Sequence, residues 1–274
     1  MNTSTQLKAL IRNLSKEKQV DAGILLRNYM LERLLERISI SDYKENFILK
    51  GGMLVAAIVG LDTRSTMDMD ATIKGQEMSK KAMTEMFKSI LLVSVDDGVL
   101  MDLKNVEEIH DEAEYAGLRI SIETIFDRTR QMLKVDVTTG EKVTPKEIKY
   151  KFKLMLENRH IEVMAYNIET VLAEKIETII TRSTSNTRMR DFYDIYIITK
   201  LQYNNIESEI YKEALVATSK RRGTLSQIQD AGVEIEHIAT NSIMIDLWKR
   251  YQRKFAYAEG IRWEEVIEAV RRFI

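Results

Sequence analysis

Only one proline, Pro145, and eleven glycines interrupt this chain of 274 residues. Because proline and glycine are the strongest local breakers of regular structure, their scarcity leaves room for long uninterrupted segments. In several of these segments apolar residues recur at helical spacing, and in others they alternate as in a strand. The pattern favours a mixed α and β chain over an all-β one.

The periodicities predict an α+β fold with a mixed sheet and flanking helices. Helices are expected over residues 3–13, 20–38, 53–59 and 78–93, and strands over 47–50, 67–73, 99–103, 118–125 and 132–138. The last two strands are expected to pair antiparallel across a polar turn at 127–130. The first two helices predict a helical hairpin at the start of the fold.

After Pro145 the strand pattern is expected to fade and helices to dominate. Four helices are predicted, over residues 169–182, 188–201, 206–220 and 241–254. We therefore predict two domains, one over residues 1–155 that contains the sheet and a helical one over residues 156–274.

Composition narrows the class of protein. With 45% hydrophobic and 30% charged residues the chain matches ordinary globular proteins, and its apolar runs are far shorter than the roughly 20 residues of a membrane span. The first residues lack the pattern of a secretory signal, so a cytoplasmic location is expected. The absence of cysteine excludes disulfides and thiolate metal sites. Since 41 basic and 42 acidic residues nearly cancel, a polyanion would have to bind at a local patch.

Two closely spaced carboxylates give the clearest chemical signal. Asp68 and Asp70 follow Gly51-Gly52 after a helix-length interval and lie in a predicted strand. Because residues i and i+2 of a strand point to the same face, the two carboxylates would lie side by side. Such a pair repels unless a cation lies between its members, and Mg²⁺ prefers hard oxygen ligands.

A third carboxylate, Asp136, is expected in a later strand, and three carboxylates could hold two Mg²⁺ ions. Two such ions suit nucleotidyl transfer, and the glycines Gly51 and Gly52 would let backbone N–H groups approach a triphosphate. Taken singly, a D-x-D is commonly a solvated strand end, Gly-Gly a plain turn and Asp136 an edge-strand charge. Their order along the chain favours a site.

Five stretches of the chain resemble the AbiEii/AbiGii toxin-like nucleotidyltransferases of the DNA polymerase β superfamily. They are residues 29–37 (YMLERLLER), 47–54 (FILKGGML), 63–70 (TRSTMDMD), 169–177 (ETVLAEKIE) and 185–194 (SNTRMRDFYD). The resemblance implies that Asp68 and Asp70 bind metal and that Lys175 and Asp191 complete the catalytic site from C-terminal helices. Of the three proposed metal ligands, Asp136 is the one that the resemblance supports least.

The sequence departs from the family pattern at the glycine turn. Many relatives have Gly-Ser there, whereas Met53 follows Gly52 in this chain, so Ser65 or Thr66 would have to supply a hydroxyl to the nucleotide. Lys175 and Arg182 are seven residues apart on one predicted helix and would point two cations at phosphates. The alternative for Lys175 is a surface ion pair with a glutamate of its own helix.

The resemblance implies an enzyme that moves a nucleotidyl group from an NTP to an acceptor hydroxyl, with RNA and in particular the 3′ end of tRNA as the favoured acceptor. It also implies the toxin of a bacterial toxin–antitoxin or phage abortive-infection system, with a cognate antitoxin as partner. Two alternatives remain: an acceptor that is a small molecule or a protein, and a non-catalytic module that binds nucleotide or RNA.

Two basic tracts could contact an RNA backbone. Residues 248–255 (WKRYQRKF) interleave cations with aromatic rings, and Lys149, Lys151 and Lys153 recur on alternate positions. The alternative for the first tract is an amphipathic helix whose rings pack in the core while its charges stay in water.

Overall fold

The computed structural model of the chain describes residues 3–64, 66–110 and 116–274. The chain forms two compact units. The first comprises the residues up to Glu141 together with Glu147–Tyr166, and the second comprises Lys142–Lys146 together with Asn167–Ile274. Ser65, one of the predicted hydroxyl donors, lies outside the described residues.

A mixed sheet forms the centre of the first unit, as the sequence predicts, but it has seven strands where five were expected. Its strands are β1 (Phe47–Lys50), β2 (Met69–Ile73), β3 (Leu100–His110), β4 (Ala116–Phe126), β5 (Thr129–Thr139), β6 (Ile148–Lys153) and β7 (His160–Ala165). Their order across the sheet is β3-β4-β5-β2-β1-β7-β6. Strand β2 therefore lies in the middle, antiparallel to β1 and parallel to β5. The predicted antiparallel pairing of β4 with β5 is confirmed.

Four helices accompany the sheet: α1 (Ser4–Lys18), α2 (Ala22–Ile40), α3 (Gly51–Val59) and α4 (Lys80–Leu91). The helical hairpin of α1 and α2 is as predicted, and each of its helices begins with a polar cap. The Thr3 hydroxyl accepts the backbone N–H of Gln6, and the Asp21 carboxylate accepts those of Gly23 and Ile24. No helix among the described residues is both long and apolar enough to cross a bilayer.

The second unit is helical, which confirms the predicted helical C-terminal region. Its helices are α5 (Ile168–Arg182), α6 (Met189–Gln202), α7 (Ser208–Arg222), α8 (Leu225–Gln229), α9 (Ala231–Thr240), α10 (Ser242–Lys254) and α11 (Trp263–Arg271). Its core is rich in aromatic residues. The Trp248 and Trp263 rings, for example, lie with their centroids 6.0 Å apart and both side chains are buried.

Strands β6 and β7 contradict the prediction that strand character fades after Pro145. Strand β6 lies at one edge of the sheet, where Lys149, Lys151 and Lys153 are exposed and Phe152 is buried. Edge lysines discourage pairing with another chain, so this alternation has a structural explanation. The boundary predicted near residue 155 falls before β7, whereas the first unit continues to Tyr166.

Helix α2 carries an unusual number of buried charges. Arg37 donates to both carboxylate oxygens of Asp97, at 2.6 and 2.9 Å. Glu32 is 2% exposed, and its oxygens accept the backbone N–H of Met155 at 3.0 and 3.1 Å. Burial raises the pKa of Glu32 to about 8 although the Met155 N–H and the cation of Arg33 oppose the rise. Glu32 is therefore protonated in the folded protein at neutral pH.

Replacing Glu32 with glutamine should change how stability depends on pH. Between its ordinary value of 4.5 and about 8, Glu32 binds a proton in the folded state and has lost it in the unfolded state. As the pH rises through this window, Glu32 therefore lowers the free energy of unfolding by about 1.4 kcal/mol per pH unit. We expect Glu32→Gln, whose amide oxygen still accepts the Met155 N–H, to remove that decline in urea unfolding measured from pH 5 to pH 8. The exposed Glu85→Gln is the control, and equal slopes for the two variants would contradict the prediction.

Candidate active site

Four charged residues lie in one row across the middle of the sheet. Strand register places Asp70 of β2 directly between Lys50 of β1 and Asp136 of β5, and Asp136 lies opposite Arg119 of β4. Residues directly opposite on neighbouring strands have side chains on the same face. The row therefore reads cation, anion, anion, cation, with the two acids adjacent at its centre.

The Asp70 carboxylate lies against the glycine turn that starts α3. Gly51 has φ +63°, a left-handed conformation, and a Cβ built on it would lie 2.1 Å from the Asp70 Oδ2. The backbone N–H of Gly52 points at the same oxygen from 3.4 Å, just beyond the usual hydrogen-bond range. Glycine at position 51 is therefore required both by the backbone and by the approach of Asp70.

Asp70 is held in an environment that disfavours its charge. Loss of hydration inside the protein raises the pKa of Asp70, although part of its surface stays accessible. The cation of Lys50 and the N–H of Gly52 lower that pKa, whereas the carboxylates of Asp136 and Asp68 raise it further. The net direction is upward. Asp68 lies just before β2 and not within it, and its carboxylate is the weakest of these influences on the pKa of Asp70, so the side-by-side pair stays a prediction.

Asp136 is occupied by a neighbouring arginine. Arg119 Nε and Nη2 donate to the two Asp136 oxygens at 2.8 and 2.7 Å, a forked pair that raises the pKa of Arg119. Arg119 was not predicted from the sequence, because its pairing with Asp136 depends on a strand register that periodicity does not define. A metal at Asp136 would have to compete with this ion pair.

A buried polar cluster adjoins Asp70 and was also missed. The Lys50 ammonium contacts Glu141, whose carboxylate accepts hydrogen bonds from Thr138 at 3.0 Å and Tyr166 at 2.8 Å, and a further one from Thr72. Burial opposes ionisation of Glu141, but the Lys50 charge and these donors outweigh it and lower its pKa to about 2. Lys50 is thereby held between Glu141 and Asp70.

The side chains next to Gly52 come from the segment before β2. A Cβ on Gly52 would lie 2.9 Å from both the Arg64 Nη2 and the Thr66 hydroxyl. Thr66 is buried, and its hydroxyl donates to the backbone carbonyl of Asp68 at 3.2 Å. Thr66 therefore lies beside the glycine turn, the position from which its hydroxyl was predicted to contact the nucleotide. Arg64 adds a buried guanidinium at the same place, and no role was predicted for it from the sequence.

The donor set at Asp68 and Asp70 fits a hard divalent cation. Burial raises the pKa of Asp70, and the carboxylates of Asp136 and Asp68 raise it further, so a bound cation would stabilise the ionised form of Asp70. Within the described ranges no three His, Asp or Glu side chains form a metal-holding group. Mg²⁺ does not require one, because it is commonly held by one or two carboxylates together with phosphate oxygens of a substrate.

A second charged cluster lies in the second unit, between α5 and α6. Lys175 Nζ donates to Asp191 Oδ1 at 2.7 Å and lies 2.9 Å from Asp194 Oδ2. Burial opposes the charge on Lys175, but the two carboxylates outweigh it and raise its pKa above the usual range. The structure thus brings together Lys175 and Asp191, and adds Asp194, whose side chain is fully buried. Asp194 lies three residues after Asp191, a spacing that places both on one helix face.

The other charges of α5 have separate partners. Glu177 is bound by Arg222, and its second oxygen accepts the Thr224 hydroxyl at 2.8 Å, so Glu177 is not the partner of Lys175. Arg182, in the last turn of α5, is half-buried and has no ionic partner in the described chain. Of the two cations predicted to bind phosphates, Lys175 is therefore neutralised by carboxylates and Arg182 is not.

Comparison with known proteins identifies relatives. A family model described as "Nucleotidyl transferase AbiEii toxin, Type IV TA system" matches residues 33–269. The chain is similar in structure to MenT4, a nucleotidyltransferase toxin from Mycobacterium tuberculosis H37Rv, with a TM-score of 0.57, 13% identity, and coverage of 97% of this chain and 98% of that one. It is also similar to JHP933 from Helicobacter pylori, with a TM-score of 0.50, 14% identity and 92% coverage of both chains. A search of curated proteins finds no significant match.

Alanine at position 51 should displace Asp70. In Gly51→Ala the new methyl group would collide with the Asp70 carboxylate, and the left-handed backbone adds strain of about 1–2 kcal/mol. Gly75→Ala is the matched control, since Gly75 has φ +72° but its nearest neighbour is 3.6 Å away. We expect Gly51→Ala to lower the free energy of unfolding by at least about 1 kcal/mol more than Gly75→Ala, because of that added collision. Equal losses would contradict this contact.

Removing the Lys175 ammonium should destabilise the second unit. Lys175→Met removes the ammonium that contacts both Asp191 and the fully buried Asp194, and breaking such a buried pair costs about 3–5 kcal/mol. Tryptophan fluorescence during denaturation reports on this unit, because Trp248 and Trp263 both lie in it. Adding Asp194→Asn should recover part of the loss, and the exposed Lys212→Met should have little effect. Wild-type stability of Lys175→Met would show that the ion pairs do not hold this region.

Proposed function

Because the chain belongs to the AbiEii family of nucleotidyltransferase toxins, we propose that it transfers a nucleotidyl group from an NTP to a hydroxyl of RNA, with the 3′ end of tRNA as the favoured acceptor. The chain is a nucleotidyltransferase by family, whereas the acceptor and the need for a metal are our inferences. The observation that carries the proposal is the Asp70 carboxylate, held against Gly51 with Asp68 and Asp136 nearby.

The residues of the first unit suit the binding of a triphosphate. Gly51 and Gly52 begin α3, so their side-chain-free backbone and the positive end of the helix dipole favour phosphate oxygens. The guanidinium of Arg64 beside Gly52 adds positive charge at the same place. Thr66 orients the Asp68 backbone and is the remaining candidate for a hydroxyl contact to the nucleotide.

We assign Asp68 and Asp70 as the residues that would hold Mg²⁺, and keep Asp136 as a further proposed ligand. When bound, the ion supplies positive charge to phosphate oxygens and lowers the pKa of an attacking hydroxyl. Lys50 favours the ionised form of Asp70, and Arg119 holds Asp136 in place. Two ions are possible only if Asp136 exchanges Arg119 for metal.

We assign Lys175, Asp191 and Arg182 to the same activity from the second unit. Lys175 and Asp191 hold one another, so each fixes the orientation of the other. The half-buried guanidinium of Arg182 is the group best able to bind a phosphate by a forked contact.

The biological role follows from the family. Membership of a type IV toxin–antitoxin family implies that an antitoxin accompanies the chain. We propose that the chain is the toxin of such a bacterial pair and acts in abortive phage infection. We place the reaction in the cytoplasm, where NTPs and tRNA occur together.

Incubation with labelled NTPs, Mg²⁺ and total bacterial RNA tests the proposal. We expect the wild type to label RNA and Asp70→Asn to lose at least about 100-fold of the rate, since charge stabilisation by a metal is worth several kcal/mol. Because the environment of Asp70 already disfavours its charge, the variant should melt no lower than the wild type. Asp102→Asn, an exposed acid of β3, is the control.

The distribution of label distinguishes the alternatives. Label in protein or in an added small molecule, with none in RNA, would replace RNA by that acceptor. No labelled product of any class would reject the proposal, and so would equal labelling by Asp70→Asn.

A further inference from the structure

A basic cleft lies within the second unit, between the start of α6 and the end of α10. Its volume is about 480 Å³, and Arg188, Arg190, Arg250 and Lys254 line it. We call it the α6–α10 cleft. Phe255 forms part of its wall, with the Arg190 guanidinium 5.3 Å and the Lys254 ammonium 5.5 Å from the centroid of its ring.

Three of the four cations that line this cleft have no carboxylate partner among the described residues. Its one acidic lining residue, Asp191, already accepts a hydrogen bond from Lys175. Arg190, Arg250 and Lys254 form no ion pair with any carboxylate in the described part of the chain, and the side chains of Arg250 and Lys254 are exposed. Cations crowded in a concave surface raise the local potential and attract anions.

The aromatic residues in α10 and directly after it divide between core and surface. Trp248 and Tyr251 are 1% and 8% exposed, so these rings pack in the core and are not available for stacking. Phe255, the residue after α10, is half-buried: its ring lies 4.7 Å from that of Tyr251 and 5.3 Å from that of Tyr257, centroid to centroid, and it borders the cleft. The amphipathic-helix alternative therefore explains the packing of the rings but not the cations that line the cleft beside Phe255.

The basic surface extends beyond one ligand-sized cleft. A second depression of about 660 Å³ shares Lys254 with the first and is lined by Lys249 and Arg253 as well as by Glu259. The exposed side of α10 thus carries cations into both depressions. A single triphosphate would occupy one of them, whereas a chain of phosphates can follow both.

We propose that the α6–α10 cleft and the adjoining depression bind the phosphodiester backbone of the RNA acceptor, with a base stacked on Phe255. The inference rests on the proposed function and names the surface that holds its acceptor. Repeated phosphates match a row of cations, and an aromatic ring beside them stacks any base without sequence preference. The lysines of β6, the other basic tract, lie on an edge strand, where they discourage pairing with another chain.

Direct RNA binding tests the inference without catalysis. Polarisation of a fluorescent single-stranded RNA is measured with the full chain, without NTP or Mg²⁺, over a series of salt concentrations. We expect Arg250→Gln/Lys254→Gln to bind at least about tenfold more weakly and the slope of log K against log salt to fall by roughly 1.4, since each phosphate contact contributes about 0.7 for a single strand. Lys151→Gln/Lys153→Gln removes the same charge from β6 and should bind as the wild type does.

A variant of Phe255 separates stacking from charge. Phe255→Leu keeps an apolar side chain but removes the aromatic face, so we expect affinity to fall about fivefold or more with an unchanged salt slope. Wild-type circular dichroism of each variant excludes misfolding as the cause. If Arg250→Gln/Lys254→Gln fails this check, Arg250→Gln or Lys254→Gln alone replaces it, and each is expected to lower the salt slope by about half as much as the double variant.

The outcomes separate this inference from the proposed function. Wild-type RNA affinity in Arg250→Gln/Lys254→Gln overturns the inference even if the enzyme labels RNA, and so does an equal loss in the β6 control. A raised KM for NTP with unchanged RNA affinity would instead assign the cleft to the triphosphate and overturn it too. Weakened RNA binding by the double variant, together with no transfer to RNA by the wild type, would reject the proposed acceptor and retain the cleft as an RNA-binding surface.

Discussion

The repulsion between neighbouring carboxylates at the centre of the sheet is the constraint around which the first unit is arranged. Asp70 and Asp136 occupy adjacent positions on β2 and β5, and Lys50 and Arg119 lie at the two ends of their row. The two outer cations do not fully compensate these acids, because Lys50 also contacts Glu141 and the Asp68 carboxylate lies close enough to raise the pKa of Asp70. An excess of negative charge therefore remains beside a glycine turn, and this is the property that a divalent cation with a polyphosphate would use.

The same balance of burial and charge recurs away from the sheet, with different results. Lys175 is buried but keeps its proton because two carboxylates surround it, whereas Glu32 is buried with too little compensation and its pKa rises to about 8. Glu141 shows the opposite outcome, since Lys50 and three hydroxyl donors hold it ionised. Burial alone therefore does not predict the charge of a group in this protein, and its partners decide.

Local sequence was sufficient to predict the features that depend on short-range spacing. The glycine turn and the meeting of Lys175 with Asp191 involve either neighbouring residues or motifs of a recognisable family. The features that sequence analysis missed depend on contacts between distant segments. Arg119 meets Asp136 through strand register, and Glu141 meets Lys50 and Tyr166 through the order of strands in the sheet. Strand β6 was missed for a different reason, because its alternating lysines have the period of a strand but were interpreted as a basic tract.

Binding of Mn²⁺ in place of Mg²⁺, followed by electron paramagnetic resonance with a non-hydrolysable NTP analogue present, tests the central claim most directly. We expect the wild type to bind Mn²⁺ together with the analogue, and Asp68→Asn/Asp70→Asn, while still folded, not to bind them. Wild-type binding of both by that double variant would contradict it, since the excess negative charge at the glycine turn would then have no part in holding the metal.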